Sequence, residues 1–131
     1  MTLARIARRE HRRVRRDYKA LGDTPPDEQL HELRKRVKRA RYAAELAEHT
    51  RGRPATRYIA AAKRVQDVLG DHQDAHVAEA AIRELATDAP PSAALAAGML
   101  VEHQRSRRRA ARAALPAAAR TLHKRGRTAW S

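Results

Sequence analysis

The sequence predicts an all-α protein folded as an antiparallel four-helix bundle. Three observations carry this. Strong helix formers (Ala, Arg, Leu and Glu) dominate the 131 residues. β-branched residues never form a run that would read as a strand. Most of the 5 Gly and 6 Pro fall at breaks between long periodic stretches. The length favours one domain, residues 1–131. Aromatic residues are only 3% and Phe is absent, so the core is expected to be thin, closely packed and rich in alanine.

The elements follow in order. A first helix is expected from about Leu3 to Leu21, ended by Gly22 in the loop Gly22-Asp23-Thr24-Pro25-Pro26. Asp27 is expected to N-cap a second helix that runs to about His49. Arg51-Gly52-Arg53-Pro54 breaks the chain, and a third helix runs from about Pro54 to Ala86, kinked at Gly70 because glycine is costly within a helix. After Asp88-Ala89-Pro90-Pro91, Ser92 is expected to cap a fourth helix to about Ala114. Pro116 should start or kink a last helical piece to about Lys124, with the tail from about 126 to 131 frayed. Short loops between long helices make successive helices antiparallel neighbours.

Lys and Arg number 29 against 15 Asp and Glu, a formal net charge of +14. On so small a chain this points to a polyanionic partner: nucleic acid, anionic lipid or inorganic polyphosphate. Arginine far outnumbers lysine, and its planar fork suits phosphate oxygens. The absence of cysteine excludes disulfides, thiolate metal sites and thiol nucleophiles. No apolar run is long enough to cross a bilayer and no secretory signal is visible, so a reducing cytoplasm is the expected location and no membrane partner is expected.

The second helix carries the clearest chemical signal. Wound at about 100° per residue, it gathers Leu30, Leu33, Val37, Ala40, Ala44 and Ala47 on one side. His31, Arg34, Lys35, Lys38, Arg41, Tyr42 and Glu45 gather on the other. Cations at this spacing repel one another along a helix, and a row of bound phosphates would offset the repulsion. The third helix divides likewise: Tyr58, Ala61, Ala62, Val65, Val68 and Leu69 against Lys63, Gln66, Asp67 and Asp74. His72 and His76 have metal-ligand spacing but lack the Glu of the zinc-protease motif, so no metal site or cofactor is expected. Asp67 and Asp74 are expected to orient neighbouring arginines or to cap a helix restarted after Gly70. Arg8, Arg12, Arg15 and Lys19 share a face of the first helix, and Arg105, Arg107, Arg108, Arg109 and Arg112 form a further patch on the fourth. No Gly-rich phosphate loop, Gly-x-Ser-x-Gly frame or paired carboxylates for Mg²⁺ occur, so no catalytic residues are expected. The 3 Tyr and 1 Trp are too few for base-stacking platforms.

The stretch Leu30-His31-Glu32-Leu33-Arg34, followed by Lys38, Arg39 and Arg41, resembles the signature of the CHAD domain, the conserved-histidine α-helical domain. Lys63-Arg64-Val65-Gln66-Asp67-Val68-Leu69-Gly70, running on to Asp74, resembles the family's second motif. The region Ala94–Trp130 is also similar to the end of such domains, so the resemblance covers about residues 3 to 130. It implies non-catalytic binding of inorganic polyphosphate along a basic channel, with targeting to polyphosphate granules as one role. His31, Arg34, Lys38, Arg39 and Arg41 match the first motif, and Lys63, Gln66 and Asp74 the second. The helical wheel puts Arg39 off the centre of the stripe. Of these, His31, Arg34, Lys38, Arg39, Arg41, Lys63 and Gln66, with Lys35 and Tyr42 and with Arg8, Arg12, Arg105, Arg108, Arg109 and Arg112 from the other two basic patches, make up the expected polyphosphate-binding set. A full CHAD fold has two tandem four-helix repeats around its channel. This chain has about half that length and resembles the second repeat. The alternatives are a homodimer that rebuilds the channel, or a fragment or single degenerate unit. A nucleic-acid-binding basic helical protein is the competing reading.

Overall fold

The computed structural model describes residues 2–131 and holds, among them, four α-helices and no strand. They are α1 (Leu3–Lys19), α2 (Asp27–Arg51), α3 (Arg53–Ala86) and α4 (Ala94–Ala129), with a 3-10 turn at Pro91–Ala93 before α4. Thr2 caps α1, its hydroxyl accepting from the Arg5 N–H at 3.2 Å. Gly52 alone joins α2 to α3, and its φ of +67° is the left-handed turn that lets the chain double back at once. α1 packs on α2, α2 on α3 and α3 on α4, while α4 returns to α1 at its C-terminal end. No helix among the described residues is long and apolar enough to cross a membrane.

The apolar faces pack as their spacing predicts. Leu30, Leu33, Val37, Ala40, Ala44 and Ala47 of α2 are all buried, as are Tyr58, Val65, Val68 and Leu69 of α3. Val14, Leu115 and Leu122 complete a core in which alanine lets the helices approach closely.

Five local expectations need correction. Asp27 does not cap α2: Pro26 holds the cap position, and the Asp27 carboxylate turns to histidines on α3 and arginines on α4. Ser92 does not cap α4 either; it lies in the 3-10 turn, and Ala93 precedes the helix. No helix restarts after Gly70: α3 is one element through it, with the core residues Val68 and Leu69 before it and His72 and Ala75 after it on one buried face. α4 likewise continues past Pro116, with Leu115, Ala118, Ala119 and Leu122 buried on both sides of it. The tail is not frayed: α4 reaches Ala129, and Gly126, Ala129 and Trp130 are buried.

What holds the tail is an aromatic cluster. Tyr58 meets His11 edge-on at 5.1 Å between centroids and Trp130 at 5.3 Å, and His123 lies 5.8 Å from His11. His11 Nδ1 and the Tyr58 hydroxyl share a 2.9 Å hydrogen bond. The His11 ring lies directly over Gly126, where a Cβ would collide with it. Gly126→Ala is therefore expected to destabilise the fold by about 1–3 kcal/mol, read as a lower thermal midpoint with α-helicity unchanged at low temperature.

Burial, with the charges of His123 and Arg15, lowers His11 from 6.5 to about 4. Burial also lowers His72 and His123. Unfolded, all three take up a proton near 6.5, while folded they resist it. Their contribution to stability is thus complete above about pH 6.5 and is lost as the pH falls towards 4. For His11 the loss is about 3 kcal/mol. The thermal midpoint should drop between pH 7 and 4.5, and His11→Gln should flatten that drop; an unchanged slope would contradict this.

Candidate functional site

Burial of the apolar face of α2 fixes where its cations go. Two of them mark opposite flanks. Arg36 reaches α1, its Nε donating to Asp17 at 3.0 Å. Arg34 lies instead along α3, its Nε 3.7 Å from where a Cβ would stand at Gly70. That distance is ordinary contact, so Gly70 leaves room for the guanidinium without being demanded by it.

The hairpin folds at Gly52, so residues equidistant from it stand level, as Arg34 and Gly70 do. The same register sets His31 level with Gln73, Lys38 with Gln66, and Arg41 with Lys63. Both basic motifs therefore meet along one seam between α2 and α3. Four of its residues hold a buried polar atom with no hydrogen-bond partner in the protein: His31 Nδ1, Arg34 Nε, Arg41 Nε and Gln66 Oε1. Burying such atoms unpaired is costly, so the nitrogens of His31, Arg34 and Arg41 are placed where they could bond a further partner.

The remaining α2 residues frame this seam. Lys38 and Lys63 are exposed, and no carboxylate among the described residues pairs with either. Arg41 Nε lies 3.5 Å from Glu45, and Lys35 is held at 3.0 Å by Glu32. Tyr42 is exposed, with Arg41 4.9 Å and Lys38 6.0 Å from its ring centre, a cation–π contact that steadies both side chains. Arg39 is exposed and off the seam, as its angle on the wheel predicted.

At the head of the stripe, one turn before His31, Asp27 gathers two arginines of α4 and two histidines of α3. Its oxygens accept from Arg112 at 2.7 Å and Arg108 at 3.1 Å, and lie 3.3 Å from His72 and 2.9 Å from His76. Arg108 also reaches Glu79 at 3.0 Å, which Arg105 meets at 3.3 Å. Arg109 pairs with Glu102 at 2.6 Å. The four α4 arginines of the expected set are thus already paired, around an open hollow of about 430 Å³. Burial alone would raise the Asp27 carboxyl, but the Arg112 hydrogen bond and the charges of Arg108, His72 and His76 outweigh it and hold it below its ordinary value. Asp67 and Asp74 do not play this part: both are exposed and neither meets an arginine among the described residues. His72 and His76 turn to Asp27, and among the described residues no three such side chains are arranged to hold a metal ion.

Arg8 and Arg12 are not brought to the seam. They line a separate hollow between α1 and the end of α4. Sequence reasoning missed Asp27 as a hub; the signal available was a carboxylate opening a helix in a chain whose two histidines one turn apart had no other use.

A family model described as the CHAD domain matches residues 2–83. The chain belongs to the CHAD domain family. The match takes in α1, α2 and most of α3, hence both motifs of the seam, and ends before α4. CHAD domains in general bind polyphosphate. No curated protein and no solved structure matches the chain.

Proposed function

We propose that the chain binds inorganic polyphosphate, without catalysis, along the α2/α3 seam. The observation that carries this is the convergence of His31, Arg34, Lys38, Arg41, Lys63 and Gln66, with the half-buried His31 Nδ1 and Arg34 Nε lacking a partner beside exposed free lysines. A helix rises about 1.5 Å per residue, so these cations form a row that a linear polyanion can follow. Tyr58 and Trp130 lie in the core and Tyr18 is partly buried against it, which leaves Tyr42 as the exposed aromatic side chain. Recognition is therefore by phosphate rather than by stacked bases. Lys35 and Arg39 add charge beside the row. The paired arginines Arg105, Arg108, Arg109 and Arg112 would extend it only by exchanging a carboxylate for a phosphate. Targeting to polyphosphate granules follows if such binding is tight in the cell.

Binding of this kind releases counterions. If about six phosphates are engaged, affinity for long-chain polyphosphate should fall roughly a thousandfold between 50 and 200 mM salt, measured by titration at each salt. A flat salt response would contradict the proposal.

The same reading includes a homodimer that sets two seams around one channel. The long α3/α4 hairpin supports it. It projects Val77, Leu85, Leu95, Met99 and Leu100 into solvent, all more than half exposed. Between Val77 and Val101 it carries Arg83 against Glu79, Glu84 and Asp88, so copies meeting there do not set cation against cation. Leu95→Glu with Met99→Glu should convert a dimer to monomer in sedimentation; a wild-type protein that is monomeric at all concentrations would rule the dimer out.

A further inference from the structure

The hollow between α1 and the C-terminal end of α4 is the other concentration of free positive charge. Arg8, Arg12 and Arg15 reach it from α1, and Arg127 reaches it from α4. Its volume is about 260 Å³ and its remaining walls are His11, Gly126, Trp130 and Ser131. No side-chain carboxylate lines it; the main-chain carboxylate of Ser131 is its one anionic wall, and none of the four guanidiniums forms an ion pair with it or with any other carboxylate among the described residues. Elsewhere the chain pairs its converging arginines, as Asp27 and Glu79 do for α4. Four like charges around one hollow repel one another unless an anion enters.

The floor is built as well as charged. His11 is 5% exposed, fixed by the Tyr58 hydrogen bond through Nδ1, and its Nε2 has no partner. When the phenol donates to Nδ1, the ring proton resides on Nε2, which is packed against Gly126 beneath the hollow. Arg15 Nε is likewise buried without a partner. Close packing of His11 on Gly126 holds α1 and α4 at the spacing that leaves the hollow open.

We propose that this hollow is a second anion site, which takes one compact, highly charged phosphate group. Free orthophosphate and the terminal group of a polyphosphate chain share that chemistry. The site shares no residue with the α2/α3 seam and stands whether or not the seam binds polyphosphate.

Trp130 is the chain's one tryptophan and lines the hollow, so its fluorescence reports this site. The full chain is titrated with orthophosphate at constant ionic strength, with chloride as the balancing anion. A saturable fluorescence change is expected, at least tenfold weaker in Arg8→Gln/Arg12→Gln/Arg127→Gln and unaltered in Arg34→Gln/Lys38→Gln. Long-chain polyphosphate with free ends, compared with chains esterified at both ends, separates the two sources. A response to free ends beyond that to capped ends assigns the terminal group; equal responses leave orthophosphate as the ligand. A non-saturating drift, or saturation undiminished in the triple arginine variant, would overturn the proposal. Because the three replaced arginines are on the surface, unchanged helicity and thermal midpoint will show that the variant is folded.

Discussion

Replacing His31, Arg34, Lys38 and Arg41 together by glutamine is expected to lower polyphosphate affinity at least a hundredfold. Three of the four carry full charge, and removing each phosphate-binding cation should reduce the slope of log affinity against log salt by about one. At about 1 kcal/mol or more per charge-assisted hydrogen bond to phosphate, three such bonds correspond to roughly a hundredfold or more. Glutamine keeps helix propensity close to that of Arg and Lys, and the buried face of α2 is untouched, so helicity should not change. The control is Arg9→Gln/Arg57→Gln/Arg120→Gln. These three arginines are exposed, unpaired among the described residues and outside the seam. The control lowers the net charge of +14 by the same three charges and should cost less than tenfold. Equal effects in the two variants would mean that bulk charge, not the seam, does the binding.

Asp27→Ala is expected to give the largest loss of stability among single polar substitutions. It removes the acceptor shared by Arg108 and Arg112, and the partner of His72 and His76, at the junction of α2, α3 and α4. Leaving partly buried cations without their carboxylate should cost about 2–4 kcal/mol. For a chain of this size that corresponds to a thermal midpoint lower by roughly 4–20 °C. The pH dependence separates this effect from that of the histidines. The Asp27 carboxyl is held below its ordinary value of 3.8, so its contribution is present above that pH and lost as the pH falls through its folded value. Asp27→Ala should therefore remove the acid-labile part of stability below about pH 4 and leave the decline between pH 6.5 and 4 in place. The variant also frees Arg108 and Arg112, so its polyphosphate affinity should be undiminished or higher. A variant that is as stable as the parent would show that the hub is dispensable.

Most of the fold is legible in the sequence because helix periodicity is a local property. The spacing of Leu30, Leu33, Val37 and Ala40 states which face of α2 is buried, and that leaves His31, Arg34, Lys38 and Arg41 facing outward. The breaks at Gly22–Pro26, Gly52 and Pro90–Pro91 are local as well. What was not legible depends on partners distant in the chain. Asp27 has the residue type and position of a helix cap, and only the approach of His72, Arg108 and Arg112 gives it another task. Gly126 and Trp130 look like the start of a loose tail until Tyr58 and His11 are placed beneath them. Gly70 and Pro116 carry real local penalties, but packing on both sides outweighs them. Arg8 and Arg12 share residue type with the α2 stripe, and nothing local indicates that they face α4 instead.

The central claim is that the seam selects inorganic polyphosphate rather than any polyanion. Long-chain polyphosphate and duplex DNA, matched in phosphate concentration, should be made to compete for the full chain at about 150 mM salt. A strong preference for polyphosphate is the predicted result, and it should vanish in the His31/Arg34/Lys38/Arg41 variant. Equal displacement by the two would contradict the claim and make the protein a general binder of nucleic acid and other phosphate polymers.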